Sequence, residues 1–127
     1  MMNDLAATIT PLEFLDALRT RARIGLCFVD ASLRYIWVND ALSEMLGFDA
    51  DELAGMNVAD VTHPDDRDLD ERLSARAFNG EISHFTTRKR FIGKNQETIT
   101  ADLMASVMHD EDGNSLGGFA TVVPIAL

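Results

Sequence analysis

The last third of the chain alternates apolar and polar residues over three long stretches, residues 82–92, 98–108 and 116–123. A period of two is typical of β-strands, whose successive side chains point to opposite faces of a sheet. The polar segments 94–97 and 110–114 are short enough to be turns between them. We therefore predict an antiparallel meander of three strands.

The middle strand of this meander separates its residues into two kinds. Aliphatic side chains occupy every second position from Ile99 to Val107, whereas the other face is mixed and carries Asp102, Met104 and Met108. The aliphatic face is expected in the core. The mixed face is left for solvent, for the first helix or for a partner.

Two shorter apolar runs, residues 24–29 and 35–38, lie in the first third of the chain. They are rich in branched and aromatic residues, and the polar segment 30–34 separates them. This pattern predicts a hairpin.

Helix signals precede this hairpin. Thr10 and Glu13 have the spacing of a capping box, and Pro11 suits the first helical position, so we predict a short helix that ends near Thr20. Its apolar residues fall mostly on one stripe: Leu12, Phe14, Leu15 and Leu18. That stripe must lie against the domain itself or against a second copy.

Two short helical segments follow the hairpin. Asn39 can cap a helix over residues 40–46, which Gly47 ends, and residues 49–52 repeat the capping-box pattern. The longest helix begins after His63-Pro64 and stops at Asn79-Gly80. Its apolar residues are spaced to share one face: Leu69, Leu73 and Ala77.

The order of helices and strands indicates an α+β fold with an antiparallel sheet. Apolar residues make up 46% of the 127 positions and charged residues 25%, as in water-soluble globular proteins, and the length suits one domain. The single cysteine, Cys27, lies in an apolar run, so no intrachain disulfide forms and a reducing, cytoplasmic setting fits best.

The net charge argues against two classes of partner. Lys and Arg total 11 against 21 Asp and Glu, and the resulting charge of −10 repels nucleic acid and anionic lipid surfaces. No stretch approaches the roughly 18 apolar residues of a membrane span. Residues 1–4 also lack the basic start of a signal peptide, so we expect neither membrane insertion nor export.

Several short motifs, in their order and spacing, resemble the PAS domain family. They run from about Ile24 to Val123: Gly25, Asp30, Trp37-Val38-Asn39, Leu46-Gly47-Phe48, Asp51-Glu52-Leu53-Ala54-Gly55, His63-Pro64-Asp65-Asp66-Arg67 and Asp110-Glu111-Asp112-Gly113. The resemblance implies a five-stranded antiparallel sheet, with short helices on one face around an inner cavity and an N-terminal capping helix. Residues 1–23 then form the flanking helix and residues 24–127 the sensor domain.

The resemblance also implies a non-enzymatic function. PAS domains are sensor and dimerisation modules in bacterial histidine kinases, diguanylate cyclases and transcription regulators. We expect the chain to bind a small ligand in the cavity and to relay the change to an output domain outside the chain. The alternative is a ligand-free module that acts through dimerisation and protein interaction.

This chain lacks the residues that usually hold two cofactors common in PAS domains. A cysteinyl-flavin light sensor needs a cysteine in the stretch corresponding to residues 56–61, which contains none. Haem-binding members often place a histidine on the longest helix, whereas His63, His84 and His109 all lie outside it. Both groups are therefore disfavoured, and the identity of any cofactor stays open.

The acidic segment around His63 permits two interpretations. His63, Asp65, Asp66 and Asp68 are donors that suit a divalent ion, but their spacing matches no metal motif, and carboxylates at a helix start are explained by the helix dipole. Asp60 with His63 is the only local pair of an acid and an imidazole. We assign neither a metal ligand nor a catalytic residue.

One basic cluster, Arg88-Lys89-Arg90 with Lys94, stands out in this acidic chain. Strand alternation sends the two arginines to the face opposite Lys89, which argues against a nucleic-acid patch. Either they pair with Asp102 across the neighbouring strand, or one arginine points inward and holds the carboxylate of an acidic ligand.

The candidate pocket residues are apolar, and all of them could equally be ordinary core. They are Trp37, Met45, Leu46, Phe48, Met56, Val58, Val61, Leu73, Phe78, Phe85 and Phe91. Trp37 could also stack on a non-covalent flavin. For a homodimer, the expected interface consists of Leu12, Leu15 and Leu18 with the outer face of the sheet.

Two positions depart from the family pattern. PAS strands commonly end in Asp-Ile-Thr, whereas this chain has Val123-Pro124-Ile125, and a proline removes a backbone donor at the exit to the output domain. Gln96 occupies a turn position that is usually glycine, so we expect Asn95 to supply any left-handed residue.

Overall fold

A computed structural model describes residues 8–126; residues 1–7 and 127, which the predicted domain assignment includes, lie outside the described part. The elements follow in this order: α1 Pro11–Arg21, β1 Gly25–Val29, β2 Tyr35–Val38, α2 Asp40–Leu46, α3 Ala50–Leu53, a 3₁₀ helix Val58–Val61, α4 Pro64–Phe78, β3 His84–Ile92, β4 Thr98–His109 and β5 Ser115–Pro124.

The five strands form one antiparallel sheet in the order β2-β1-β5-β4-β3. The predicted hairpin is β1–β2, and the predicted meander is β3–β4–β5. The meander places the last strand next to the first, so β1 and β5 pair in the middle of the sheet. The predicted α+β class and five-stranded sheet are confirmed.

The two faces of β4 differ as the alternation predicts. Ala101 and Leu103 are buried, whereas Asp102 and Met104 are exposed. Helices α2, α3 and α4 contribute to the same core as the buried face, through Leu42, Leu46, Leu53 and Ala77 among others. On the outer face of the sheet, Met104 and Val123 are exposed among residues 8–126.

Asn39 joins the hairpin to the helices, as its predicted cap role requires. Its side chain is fully buried, and its Oδ1 accepts hydrogen bonds from the backbone N of Leu42 (3.1 Å) and of Leu26 (2.9 Å). Its Nδ2 donates to the carbonyls of Ile24 (2.9 Å) and Leu18 (3.3 Å). One amide therefore caps α2 and fixes where β1 and α1 lie against it.

Helix α1 has its predicted capping box, with Thr10 and Glu13 bonding each other's backbone N. None of its residues is buried. Leu12 is 78% exposed, Phe14 56% and Leu15 46%, whereas Leu18 is half-buried. Within residues 8–126, its apolar stripe is covered only in part.

Helix α4 contacts the core through two of the three residues of the predicted stripe, Leu73 and Ala77. Leu69 is 45% exposed, and its neighbour Asp70 is buried together with Ala77. The stripe of Leu69, Leu73 and Ala77 is therefore wrong at its first position. Hydrophobic spacing could not anticipate this, because Asp70 is buried through a charged partner on another element.

The β3–β4 turn also differs from expectation. Gln96 itself has the left-handed conformation (φ 68°), so the prediction that Asn95 supplies it is wrong. The Gln96 backbone N donates to the carbonyl of Gly93 (3.0 Å), which closes the turn. This hydrogen bond fixes which residue of the turn must adopt a positive φ.

Candidate functional site

An inner cavity of about 50 Å³ lies between α4 and the core face of the sheet. All five strands and α4 contribute to its wall, which is mostly aliphatic and aromatic. The lining residues are Cys27, Val29, Leu33, Tyr35, Val58, Asp70, Ser74, Phe85, Lys89, Phe91, Leu103, Ala105, Ala120 and Val122. Pockets for drug-sized ligands usually enclose about 300–1,000 Å³, so this cavity suits a much smaller occupant.

A buried ion pair, Lys89 with Asp70, is the main polar feature of the cavity. The Lys89 side chain is 2% exposed and that of Asp70 is 9% exposed, and Nζ lies 3.2 Å from Oδ2. Nζ also sits 4.6 Å from the centre of the Phe91 ring, where a cation is attracted to the aromatic face. The pair joins α4 to β3 across the cavity wall.

Burial governs the charge state of Lys89. Loss of hydration lowers the pKa of Lys89, and the Asp70 carboxylate opposes that shift. A buried charge of this kind is stable only while it keeps its partner. The charge state of Lys89 on β3 is therefore linked to the position of Asp70 on α4.

Two further ionisable groups line the cavity and stay neutral. Burial raises the pKa of the Cys27 thiol to about 12, so a reactive thiolate does not form near neutral pH. Burial, followed by the negative charge of Cys27 and Asp70 in their ionised forms, raises the pKa of Tyr35 well above 10. Tyr35 therefore presents a neutral hydroxyl.

The structure divides the candidate pocket residues other than Trp37 into three groups. Val58, Phe85 and Phe91 line the cavity. A second group lies in or against the core without lining it: Met45, Leu46, Phe48, Met56, Val61 and Leu73. Phe78, at the end of α4, is half-buried and lies close to Gly118.

Trp37 does not face the cavity. It pairs with Phe28 across β1 and β2, whereas the neighbouring pair, Cys27 and Val38, faces the core. Because adjacent residues of a strand point to opposite faces, Trp37 lies on the outer face of the sheet. This position corrects its inclusion among the pocket residues and its suggested stacking role in the cavity.

The two arginines of the basic cluster bind carboxylates of the protein. Arg88 pairs with Asp102 on β4 (Nε–Oδ1 3.1 Å), as predicted, and Arg90 pairs with Asp66 on α4 (Nη2–Oδ1 2.7 Å). The alternative of an inward arginine is wrong, because Lys89 is the residue that points inward. The sequence could have indicated the inward position of Lys89, because alternation along β3 puts Lys89 on the same face as Phe85 and Phe91.

The residues around His63 have structural partners. His63 caps α4 by accepting from the backbone N of Asp65 through Nδ1 (3.1 Å), and Asp60 accepts from the backbone N of Asn57 (3.0 Å). In residues 8–126, no group of three or more His, Cys, Asp or Glu side chains has the arrangement of a metal site.

The outer face of the sheet carries an open groove of about 600 Å³ across β3, β4 and β5. Its wall contains the Arg88–Asp102 pair together with Met104 and Val123, both close to half exposed.

No helix in the described part of the chain is both long and apolar enough to span a bilayer.

Comparison with known families gives a match over nearly the whole described chain. The family model described as "PAS fold" matches residues 11–123. One curated relative, the probable diguanylate cyclase DgcE of Escherichia coli (strain K12), is 28% identical over 102 residues. Those residues are 80% of this chain but only 9% of that relative.

Solved structures show the same fold at low identity. The PAS domain of a protein from Colwellia psychrerythraea has a TM-score of 0.81 at 15% identity, covering 91% of this chain and 98% of that one. A domain of a sensory box sensor histidine kinase/response regulator from Geobacter sulfurreducens has a TM-score of 0.70 at 21% identity, covering 88% and 91%.

Proposed function

Since this chain belongs to the PAS family, we propose that it is the signal-sensing module of a bacterial signalling protein, which binds a small ligand in the inner cavity and relays the change to an output domain. The parent protein would be a cytoplasmic histidine kinase, diguanylate cyclase or transcription regulator. In this proposal the domain itself is not catalytic, and it holds neither haem nor a cysteinyl flavin.

The buried Lys89–Asp70 pair at the cavity wall is the observation that supports a ligand sensor. It connects β3 to α4, so an occupant that changes its geometry would reach both layers of the fold. The volume of about 50 Å³ supports a ligand of a few heavy atoms over a flavin or haem.

A second candidate function, dimerisation without a ligand, is favoured by the exposed apolar residues. Leu12 and Leu15 on α1 are exposed, and Met104 and Val123 in the groove on the outer face of the sheet are 49% and 45% exposed. Apolar side chains gathered on a helix and on a sheet face are typical of an interaction surface. The two functions differ in whether a foreign molecule or the protein's own side chains fill the inner cavity.

Native mass spectrometry of freshly purified protein tests both functions together. The ligand sensor predicts a reproducible extra mass that survives gentle but not harsh activation. The control is Ala105→Leu, which adds bulk at the cavity wall and should abolish the extra mass. A dimer without extra mass, also after incubation with a cell extract, would contradict the ligand sensor and favour the dimerisation module.

A further inference from the structure

The Lys89 ammonium has unused hydrogen-bonding capacity inside the cavity. An ammonium group has three donors. One reaches Asp70, and among residues 8–126 no other acceptor hydrogen-bonds it; the centre of the Phe91 ring lies 4.6 Å from Nζ. Since Lys89 is 2% exposed, bulk water does not supply the missing acceptors.

The Tyr35 hydroxyl is a second buried group with unused hydrogen-bonding capacity. The residue is 4% exposed and lines the cavity, and within the described residues its hydroxyl takes part in no hydrogen bond. Every fully enclosed side-chain nitrogen or oxygen in that part of the chain has a partner. The Tyr35 hydroxyl must therefore border open space, and its electrostatic neighbours, Cys27 and Asp70, both line the cavity.

The charges around the cavity determine what kind of acceptor can enter. Lys89 and Asp70 already neutralise each other, so a carboxylate ligand would add an unpaired negative charge next to Asp70. The net charge of −10 opposes the same ligand at longer range. An uncharged oxygen atom satisfies the donors of Lys89 and Tyr35 without that cost.

We propose that the cavity binds a small uncharged molecule whose carbonyl or hydroxyl oxygen accepts hydrogen bonds from Lys89 and Tyr35, while its short apolar part packs against Leu103 and Val122. This inference rests on the proposed ligand-sensing function and names the chemical class of the ligand. A carbonyl oxygen has two lone pairs and so can accept from both groups at once. The volume limits the molecule to a few heavy atoms.

Acetamide and acetate form the matched pair of probes, because they share shape and size and differ in charge. Each is titrated into isotope-labelled protein while the amide resonances of β1, β3 and α4 are followed. Acetamide should give saturable shifts with a dissociation constant in the millimolar range, as expected for about four heavy atoms. Acetate at equal ionic strength should bind at least about ten-fold more weakly.

Tyr35→Phe is the decisive variant, because it removes only the hydroxyl and leaves the ion pair intact. It should weaken acetamide binding about five-fold or more. Trp37→Phe, an aromatic change on the outer face, is the control and should leave the affinity unchanged. Acetate binding as tightly as acetamide, or a Tyr35→Phe variant with unchanged affinity, would overturn the inference.

The proposed function and this inference can fail separately. A retained adduct in the native mass spectrum without any acetamide binding would overturn the small neutral ligand and leave the ligand sensor standing. Acetamide binding with the expected variant effects would support the inference even if no natural ligand survives purification.

Discussion

The carboxylate of Asp66 at the start of α4 accepts three hydrogen bonds from one residue, Arg90 on the edge strand β3. They come from the backbone N (2.8 Å) and Nε (3.0 Å) to Oδ2, and from Nη2 (2.7 Å) to Oδ1. The His63 backbone N donates in return to the Arg90 carbonyl (2.9 Å). The beginning of the longest helix is thereby attached to the edge of the sheet.

Asp66→Asn should make the free energy of unfolding less dependent on pH. The hydrogen bonds from the Arg90 side chain lower the pKa of Asp66 to about 2. The pKa of an aspartate in the unfolded chain is near 4, so a carboxyl group with a lower pKa in the folded protein stabilises the fold at a pH above 4. This contribution is lost as the pH falls towards 2. With both side chains partly exposed, we expect Asp66→Asn to lose about 1–2 kcal/mol at pH 7.

Urea unfolding at pH 7, 4 and 3 measures this difference. The gap between the wild type and Asp66→Asn should shrink as the pH falls. Asp68→Asn is a matched control, because Asp68 is largely exposed and pairs only with Arg72 on its own helix. A gap that stays constant across this range would show that the Asp66 charge contributes nothing through its pKa.

Lys89→Met should destabilise the protein more than the loss of both charges does. The single substitution leaves Asp70 buried without a partner, at a cost of about 3–5 kcal/mol. Lys89→Met with Asp70→Leu removes both charges and should recover most of that loss. Chemical denaturation of the wild type, both single variants and the double variant completes the cycle. Equal stability of the wild type and Lys89→Met would contradict a buried pair.

Leu12→Glu with Leu15→Glu on α1 should convert a dimer into a folded monomer. Both leucines are exposed within residues 8–126, so we expect the core of this part of the chain to form without them. Light scattering coupled to size-exclusion chromatography reports the mass, and circular dichroism reports the fold. Leu69→Glu, on an exposed position of α4, is the control and should leave the dimer intact. Unfolding of the α1 variant would assign these residues to the domain core instead.

Gln96→Gly should stabilise the β3–β4 turn. Gln96 has a φ of 68°, a region that costs a side-chain-bearing residue about 1 kcal/mol and costs glycine little. The greater freedom of glycine in the unfolded chain offsets part of the gain, so we expect about 0.5 kcal/mol. Thermal unfolding should show a higher midpoint for Gln96→Gly than for Asn95→Gly, because Asn95 does not have a positive φ. The reverse order would contradict this account.

The helices and strands could be predicted from local sequence patterns because each depends on residues that are close in the chain. The capping box of Thr10 and Glu13, the cap at Asn39 and the alternation along β4 are all local signals, and the structure contains each of them. The motifs from Gly25 to Asp110 also identified the family, since their order records the order of the elements.

The candidate site could be predicted only in part, because it depends on contacts between residues that are distant in the chain. Val58, Phe85 and Phe91 line the cavity, but apolar composition alone could not distinguish them from Leu46 or Val61, which lie in the core away from it. Trp37 was misplaced because a four-residue strand has too few positions to reveal which face is buried.

Sequence alone therefore determined the α+β class, the order of the strands and helices, and the membership in the PAS family. Tertiary structure decided that Asp70 rather than Leu69 faces inward, and that Lys89 meets it across the cavity. Whether a charged residue is buried depends on a partner 19 positions away in the chain. Such a pairing exists only once α4 and β3 have packed together, because burial of either charge alone would be unfavourable.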